Sequence, residues 1–136
     1  MATKVLDSWA LIAFFEDEPA AGEVEKILQG AADEKHKLLM SVVNWGEIYY
    51  NTMREVSQEA AEQKARDIAA LPIDIVGIGD DLSLARQAAI FKATRKMSYA
   101  DCFAAALAKE KKAELVTGDP EFKEVEKEIK ISWLPK

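Results

Sequence analysis

Ser98-Tyr99-Ala100-Asp101-Cys102-Phe103-Ala104-Ala105-Ala106-Leu107-Ala108, followed shortly by Glu114-Leu115-Val116-Thr117-Gly118-Asp119-Pro120, is the stretch whose reading decides the fold. The segment from Ala100 to Ala108 is apolar on nearly every face, so it reads as the most buried helix of the chain. Residues 114–117 read as a short strand that ends in a Gly-Asp-Pro turn. A buried helix that leads straight into a strand is the unit of a parallel sheet, because parallel strands need crossover connections that cover both faces.

Outward from there the same alternation recurs. Further strand candidates are 3–6, 38–43, 73–78 and 130–133, each short and rich in Val, Ile or Leu. Val24, Ile27 and Leu28 mark one helical stripe, Ala61, Ala65 and Ile68 a second, and Leu82, Ala85 and Ala89 a third. Residues 44–71 hold two helices that divide near Val56-Ser57. No Gly/Ser linker, low-complexity tract or internal repeat interrupts the pattern. Residues 1–136 are therefore expected to form a single α/β domain, three α/β/α layers around a mostly parallel sheet of about five strands.

A chain of 136 residues is large enough to bury a core without disulfides or a structural metal. Hydrophobic residues make up 49% and charged residues 31%, the balance of a soluble globular protein. One cysteine, Cys102, excludes an internal disulfide, and one histidine, His36, excludes a Cys/His metal cluster. The apolar run from Val5 to Phe15 contains Asp7 and is followed by Glu16-Asp17-Glu18, which does not suit a signal peptide. No stretch reaches the ~20 apolar residues of a membrane helix. The expectation is a cytoplasmic protein without a membrane partner. The net charge of −6, from 18 basic and 24 acidic residues, argues against a protein that coats nucleic acid.

Some of that acidity falls in a pattern. Asp7 follows the first strand, Glu47 lies just past the second, Asp101 opens the buried helix and Asp119 follows the fourth strand. Open parallel sheets bind ligands beyond the carboxyl ends of their strands, where the strand order reverses, so these acids are candidates to meet. Each also has a structural explanation. Asp119 before Pro120 is a good helix start, Asp7 can cap the next helix, and Asn44–Glu47 and Ser98–Asp101 both have capping-box spacing. Taken together, however, they sit among apolar neighbours, and Lys4 and Lys96 are too few to pair them. Buried acids are costly unless paired, protonated or bound to metal. A hard cation such as Mg²⁺ or Mn²⁺, which prefers oxygen ligands, resolves the conflict.

Competing chemistries are thin. His36 lies among Asp33, Glu34, Lys35 and Lys37 and reads as a solvated loop residue rather than part of a triad. Cys102 reads as a small core residue, and Gly77-Ile78-Gly79 as a turn rather than a dinucleotide fingerprint. Lys92, Arg95 and Lys96 form a basic cluster just before Asp101. They read either as favourable charge near a helix C-terminus or as contacts to substrate phosphate beside the metal.

The motifs Val5-Leu6-Asp7-Ser8, Val43-Asn44-Trp45-Gly46-Glu47, Ser98-Tyr99-Ala100-Asp101 and Val116-Thr117-Gly118-Asp119-Pro120-Glu121-Phe122, in that order, resemble the PIN-domain ribonucleases, most nearly the VapC-type toxins of toxin–antitoxin pairs. The resemblance spans nearly the whole chain, and the last two motifs are its most specific part. It implies that Asp7, Glu47, Asp101 and Asp119 hold one or two Mg²⁺ or Mn²⁺ ions, with the Thr117 hydroxyl supporting the site. It implies hydrolysis of RNA phosphodiester bonds, a homodimer, and inhibition by an antitoxin inserted into the groove. Trp9 departs from the smaller residue expected after the Asp-Ser pair. Two other classes fit less well: a PIN-like module that binds RNA or a partner without turnover, and a phosphotransfer domain with one phosphorylated Asp. A pure binder has no need of four acids, and here the acids are spread over four elements rather than paired beside one nucleophile.

Overall fold

Val5-Leu6, Leu38-Leu39-Met40 and Leu115-Val116 form the buried centre of one five-stranded sheet in the computed structural model, which describes residues 1–136. In chain order the elements are β1 (Ala2–Leu6), α1 (Ser8–Phe15), α2 (Ala21–Ala32), β2 (His36–Ser41), α3 (Val42–Glu55), α4 (Gln58–Ala69), β3 (Asp74–Val76), α5 (Ser83–Thr94), α6 (Tyr99–Lys111), β4 (Glu114–Thr117), a 3₁₀ turn (Pro120–Val125) and β5 (Ile131–Trp133). The strands lie in the order β3-β2-β1-β4-β5, and every neighbouring pair is parallel.

The two-residue period of the strands divides the core. Val5, Leu39 and Leu115 face one way and pack with Leu84, Ala88 and Phe91 of α5 and with Phe103–Ala108 of α6. Leu6, Leu38, Met40 and Val116 face the other way, onto Leu11 of α1, Val24 and Leu28 of α2, Ile48 of α3 and Ile68 of α4. This is the three-layer α/β/α arrangement. Residues 101–108 of α6 are all buried, in keeping with the all-round apolar reading. No helix is long and apolar enough to cross a membrane.

The chain first builds outward from β1 to β3, then crosses through α5 and α6 to β4 on the other flank of β1. The strand order therefore reverses between β1 and β4, and the crevice at their carboxyl ends is where such sheets take ligands. The register sets Leu6 beside Val116, which brings Asp7 next to Thr117.

Several boundaries differ from the sequence expectation. The strand expected over 38–43 runs from His36 to Ser41, and Val42-Val43 begin α3 instead. Their β-branched side chains suggested strand, but Ser41 is the cap, its Oγ accepting from the Val43 amide at 3.1 Å. The expected capping box at Asn44–Glu47 is therefore absent, and both residues lie inside the helix. The strand expected over 73–78 is only Asp74–Val76. His36 is not a loop residue. It opens β2, is half-buried, and its Nε2 lies 2.8 Å from the Ile27 carbonyl. The stripe read at Leu82, Ala85 and Ala89 is out of phase, since Leu84, Ala88 and Phe91 are the buried residues of α5. Leu82 stands just outside the helix, exposed, with a left-handed φ of 65°.

Candidate metal centre

Asp7 leaves β1 at the switch point and caps α1. Its Oδ1 accepts from the Ala10 amide at 2.9 Å, and its Oδ2 accepts from the Thr117 hydroxyl at 2.6 Å. Thr117, the last residue of β4, in turn accepts from the Asp119 amide at 3.0 Å. With its oxygen accepting from that amide, the hydroxyl has its proton free for Asp7. The chain of bonds from Asp119 through Thr117 to Asp7 ties the ends of the two central strands together.

Asp119 caps the 3₁₀ turn, and its Oδ1 accepts from the Glu121 amide at 2.9 Å. Asp101 sits in the first turn of α6, which Ser98 caps through a 3.2 Å bond from the Asp101 amide to the Ser98 Oγ. Glu47, one turn into α3, accepts from the Ser8 hydroxyl. Carboxylate oxygens of Asp101, Asp119 and Glu121 all lie within 4.8 Å of one another. Glu121 is the member that sequence reasoning left without a role. Its signal was present, one position past Pro120 in the most specific motif.

Electrostatics joins the remaining acids to these three. Burial pushes the Asp7 carboxyl up to about 7, against the pull of its Thr117 and Ala10 hydrogen bonds, and Asp119 and Glu47 push it further. Asp101 rises to about 8, first through burial and then through repulsion by Asp119, Asp7, Glu121 and Glu47. No basic side chain is among the groups that act on either.

The donor set fits a hard cation. All of its members are oxygens. An octahedral ion with bonds of about 2.1 Å sets its ligand oxygens about 3.0–4.2 Å apart, a span that small side-chain adjustments would reach from the observed cluster. The carboxylate of Asp101 is the most telling member. The residue is only 6% exposed, yet its side chain accepts no hydrogen bond and faces four other acids. Below it, Asn44 of α3 donates to the Ala100 carbonyl at 3.1 Å, while its buried Oδ1 has no partner.

The basic cluster is partly engaged in holding this region together. Lys92 donates to the Met97 carbonyl at 2.9 Å, and Arg95 pairs with Glu128 at 2.6 Å and donates to the Glu124 carbonyl at 3.2 Å. The Lys96 amide donates to Glu124 at 3.2 Å, and its ammonium remains exposed without an ion-pair partner. Cys102 is buried, and burial pushes its thiol up, which suits a core residue rather than a nucleophile.

Trp9 packs against the turn that carries Asp119. A Cβ at Gly118 would stand 2.2 Å from the indole Cη2. Gly118→Ala is therefore expected to destabilise the fold by about 1–3 kcal/mol in urea denaturation. Trp9→Leu in the same chain is expected to recover most of that loss, because the clash is between those two positions.

The family model described as "PIN domain" matches residues 4–128. No curated protein matches the chain significantly. Among solved structures, the chain is similar to VapBC2 from Rickettsia felis bound to a DNA fragment from their promoter, with a TM-score of 0.73, 14% identity, and 98% of this chain and 99% of that chain covered. DNA-bound VapBC from Salmonella typhimurium gives 0.71 and 15% identity, covering 97% of this chain and 98% of that one. VapC20 from Mycobacterium tuberculosis, described as a sarcin–ricin loop cleaving toxin, gives 0.66 and 17% identity, covering 90% and 93%. At these identities the likeness is one of fold.

Proposed function

Since the chain belongs to the PIN domain family, we propose that it is a single-domain, Mg²⁺- or Mn²⁺-dependent endoribonuclease, the toxin of a toxin–antitoxin pair acting in the cytoplasm. The observation that carries this reading is the carboxylate of Asp101, buried, without a hydrogen bond and repelled by four neighbouring acids. Near neutral pH such a group stays largely protonated unless a cation stabilises its charged form.

Asp7, Asp101 and Asp119 are the proposed ligands, with Glu47 bound directly or through water. Glu47, held by the Ser8 hydroxyl, would orient the attacking water. Thr117 holds Asp7 in place through its 2.6 Å bond, a supporting role that typically changes metal affinity or activity 10–100-fold. One or two divalent ions bound here would activate water as a nucleophile and neutralise the charge that develops on the phosphate. In the reaction the water oxygen bonds to phosphorus and the bond to the 3′ oxygen breaks. One water proton passes to a carboxylate, and the leaving oxygen takes up a proton. Of the basic cluster, Lys96 has the free ammonium suited to a substrate phosphate, while Arg95 and Lys92 already have partners.

The similarity to solved VapBC proteins supports an antitoxin as partner, and the description of VapC20 as a cleaving toxin supports RNA as substrate. Exposed Tyr50, Met53 and Val56, at and just past the end of α3, offer an apolar surface for the proposed homodimer. The test is cleavage of single-stranded or structured RNA by purified protein. Cleavage is expected with Mn²⁺, is expected to stop in excess chelator, and is expected to return when metal is restored. Undiminished cleavage in chelator would sink the reading. RNA binding without turnover, across many sequences and with metal present, would favour the non-catalytic module instead.

A further inference from the structure

In a capping box the N-cap hydroxyl accepts from the third helical amide, and the side chain of that third residue reaches back to the N-cap amide. Half of this box is present at the start of α6, where the Ser98 Oγ accepts from the Asp101 amide at 3.2 Å. The other half is filled by a different residue. The Ser98 amide donates to Glu121, which comes from the 3₁₀ turn after β4 rather than from α6. Asp101, which has the right spacing for the task, keeps its carboxylate unbonded.

We infer that Glu121 is a positioning residue that caps α6 in place of Asp101 and so leaves the Asp101 carboxylate free to bind metal. The Ser98 amide is one of the orphan donors at a helix start and needs an acceptor. Without Glu121, the nearest suitable acceptor on the same helix is the Asp101 carboxylate, and taking that bond would turn it away from Asp119. Glu121 acts on the second ligand as well, since its own amide donates to Asp119 Oδ1 at 2.9 Å. One residue thus fixes the relation between two proposed ligands from different elements.

The inference rests on the metal site proposed above, and the test separates the two. Mn²⁺ affinity is measured by electron paramagnetic resonance or calorimetry, with melting temperatures in chelator to confirm folding, for wild type and for Glu121→Ala, Glu121→Asp and Glu121→Gln. Ala removes the acceptor, Asp keeps the charge but shortens the reach, and Gln keeps the acceptor and the reach without charge. Ala and Asp are expected to bind Mn²⁺ about ten- to a hundredfold more weakly than wild type, the usual effect of losing a group that orients a ligand. Gln is expected to stay within about threefold. A purely structural role would lower the melting temperature of Ala and Asp and leave affinity unchanged, which overturns the inference. Asp near wild type with Gln strongly weakened also overturns it, since Glu121 would then act through its charge. Wild type that binds no Mn²⁺ refutes the metal site itself, whatever the variants do.

Discussion

Asp101→Asn is expected to abolish metal-dependent RNA cleavage and at the same time to raise the melting temperature of the metal-free protein. The two effects have one cause. At pH 8 the Asp101 carboxyl is close to half-ionised, pushed up to about 8 by burial and by Asp119, Asp7, Glu121 and Glu47. Asparagine keeps the shape and removes the charge, so the fold no longer bears the repulsion. A gain on the order of 2 kcal/mol at pH 8 corresponds to a rise of roughly 6 °C for a domain of this size. The gain should shrink as the pH falls towards 5 and vanish only below about 4, where aspartate is protonated in both the folded and the unfolded chain. Activity should fall at least ~10³-fold, since a neutral amide is a poor ligand for a hard cation. Such opposition between stability and activity is typical of functional sites. Calorimetric scans in chelator at pH 5 and pH 8, beside an RNA cleavage assay with Mn²⁺, check both arms. A variant less stable than wild type at pH 8 would mean that Asp101 is compensated in the fold.

The alternation of strand and helix was legible because the strands are buried on both faces and stand out as short apolar runs, as at 114–117. The all-round apolar segment 100–108 was legible for the same reason. Boundaries failed where a local hydrogen bond overrode composition. Val42-Val43 have strand propensity, but the Ser41 hydroxyl turns the chain into a helix. At Leu82 a large apolar side chain suggested the buried stripe, yet the helix begins one residue later and Phe91 sets its phase. His36 sits among four charged residues, which hid the contact with the distant Ile27 carbonyl.

At the site, the residue types and their order along the chain were readable, but their division of labour was not. Asp7 and Asp119 cap the elements that follow them and also face the acidic cluster. Capping and metal binding are therefore not competing explanations for those two. For Asp101 they would compete through direction, because reaching back to the Ser98 amide would turn its carboxylate away from Asp119. The structure separates the purposes by bringing Glu121 to the Ser98 amide, a contact between residues that no local spacing rule links. The basic cluster shows the same limit. Nothing in Lys92–Lys96 reveals that Arg95 is held by Glu128 from beyond the 3₁₀ turn.

In chelator, the wild-type protein is expected to lose stability as pH rises from 5 to 8.5, and millimolar Mn²⁺ is expected to restore it at the upper end. Asp7 has an ordinary value of 3.8 and is pushed up to about 7 in the fold. Between those values the folded chain holds a proton that the unfolded chain has released, so unfolding becomes easier as pH rises. The contribution is fully present below about 4 and is lost through about 7, and the Asp101 contribution is lost through about 8. Glu114, at the opposite end of the sheet, has the other sign. Lys4 at 2.9 Å and Lys130 at 3.3 Å hold its carboxyl below 4.5, so its contribution is lost only when the pH falls through that lowered value. The melting temperature of the metal-free protein should therefore peak on the acid side of neutrality. A cation that binds the ionised acids only in the fold reverses the loss, by about 2.7 kcal/mol at a hundred times its dissociation constant. A melting temperature that climbs from pH 5 to 8.5 in chelator would show that the acids are already neutralised within the protein, and the case for a metal would lose its physical basis.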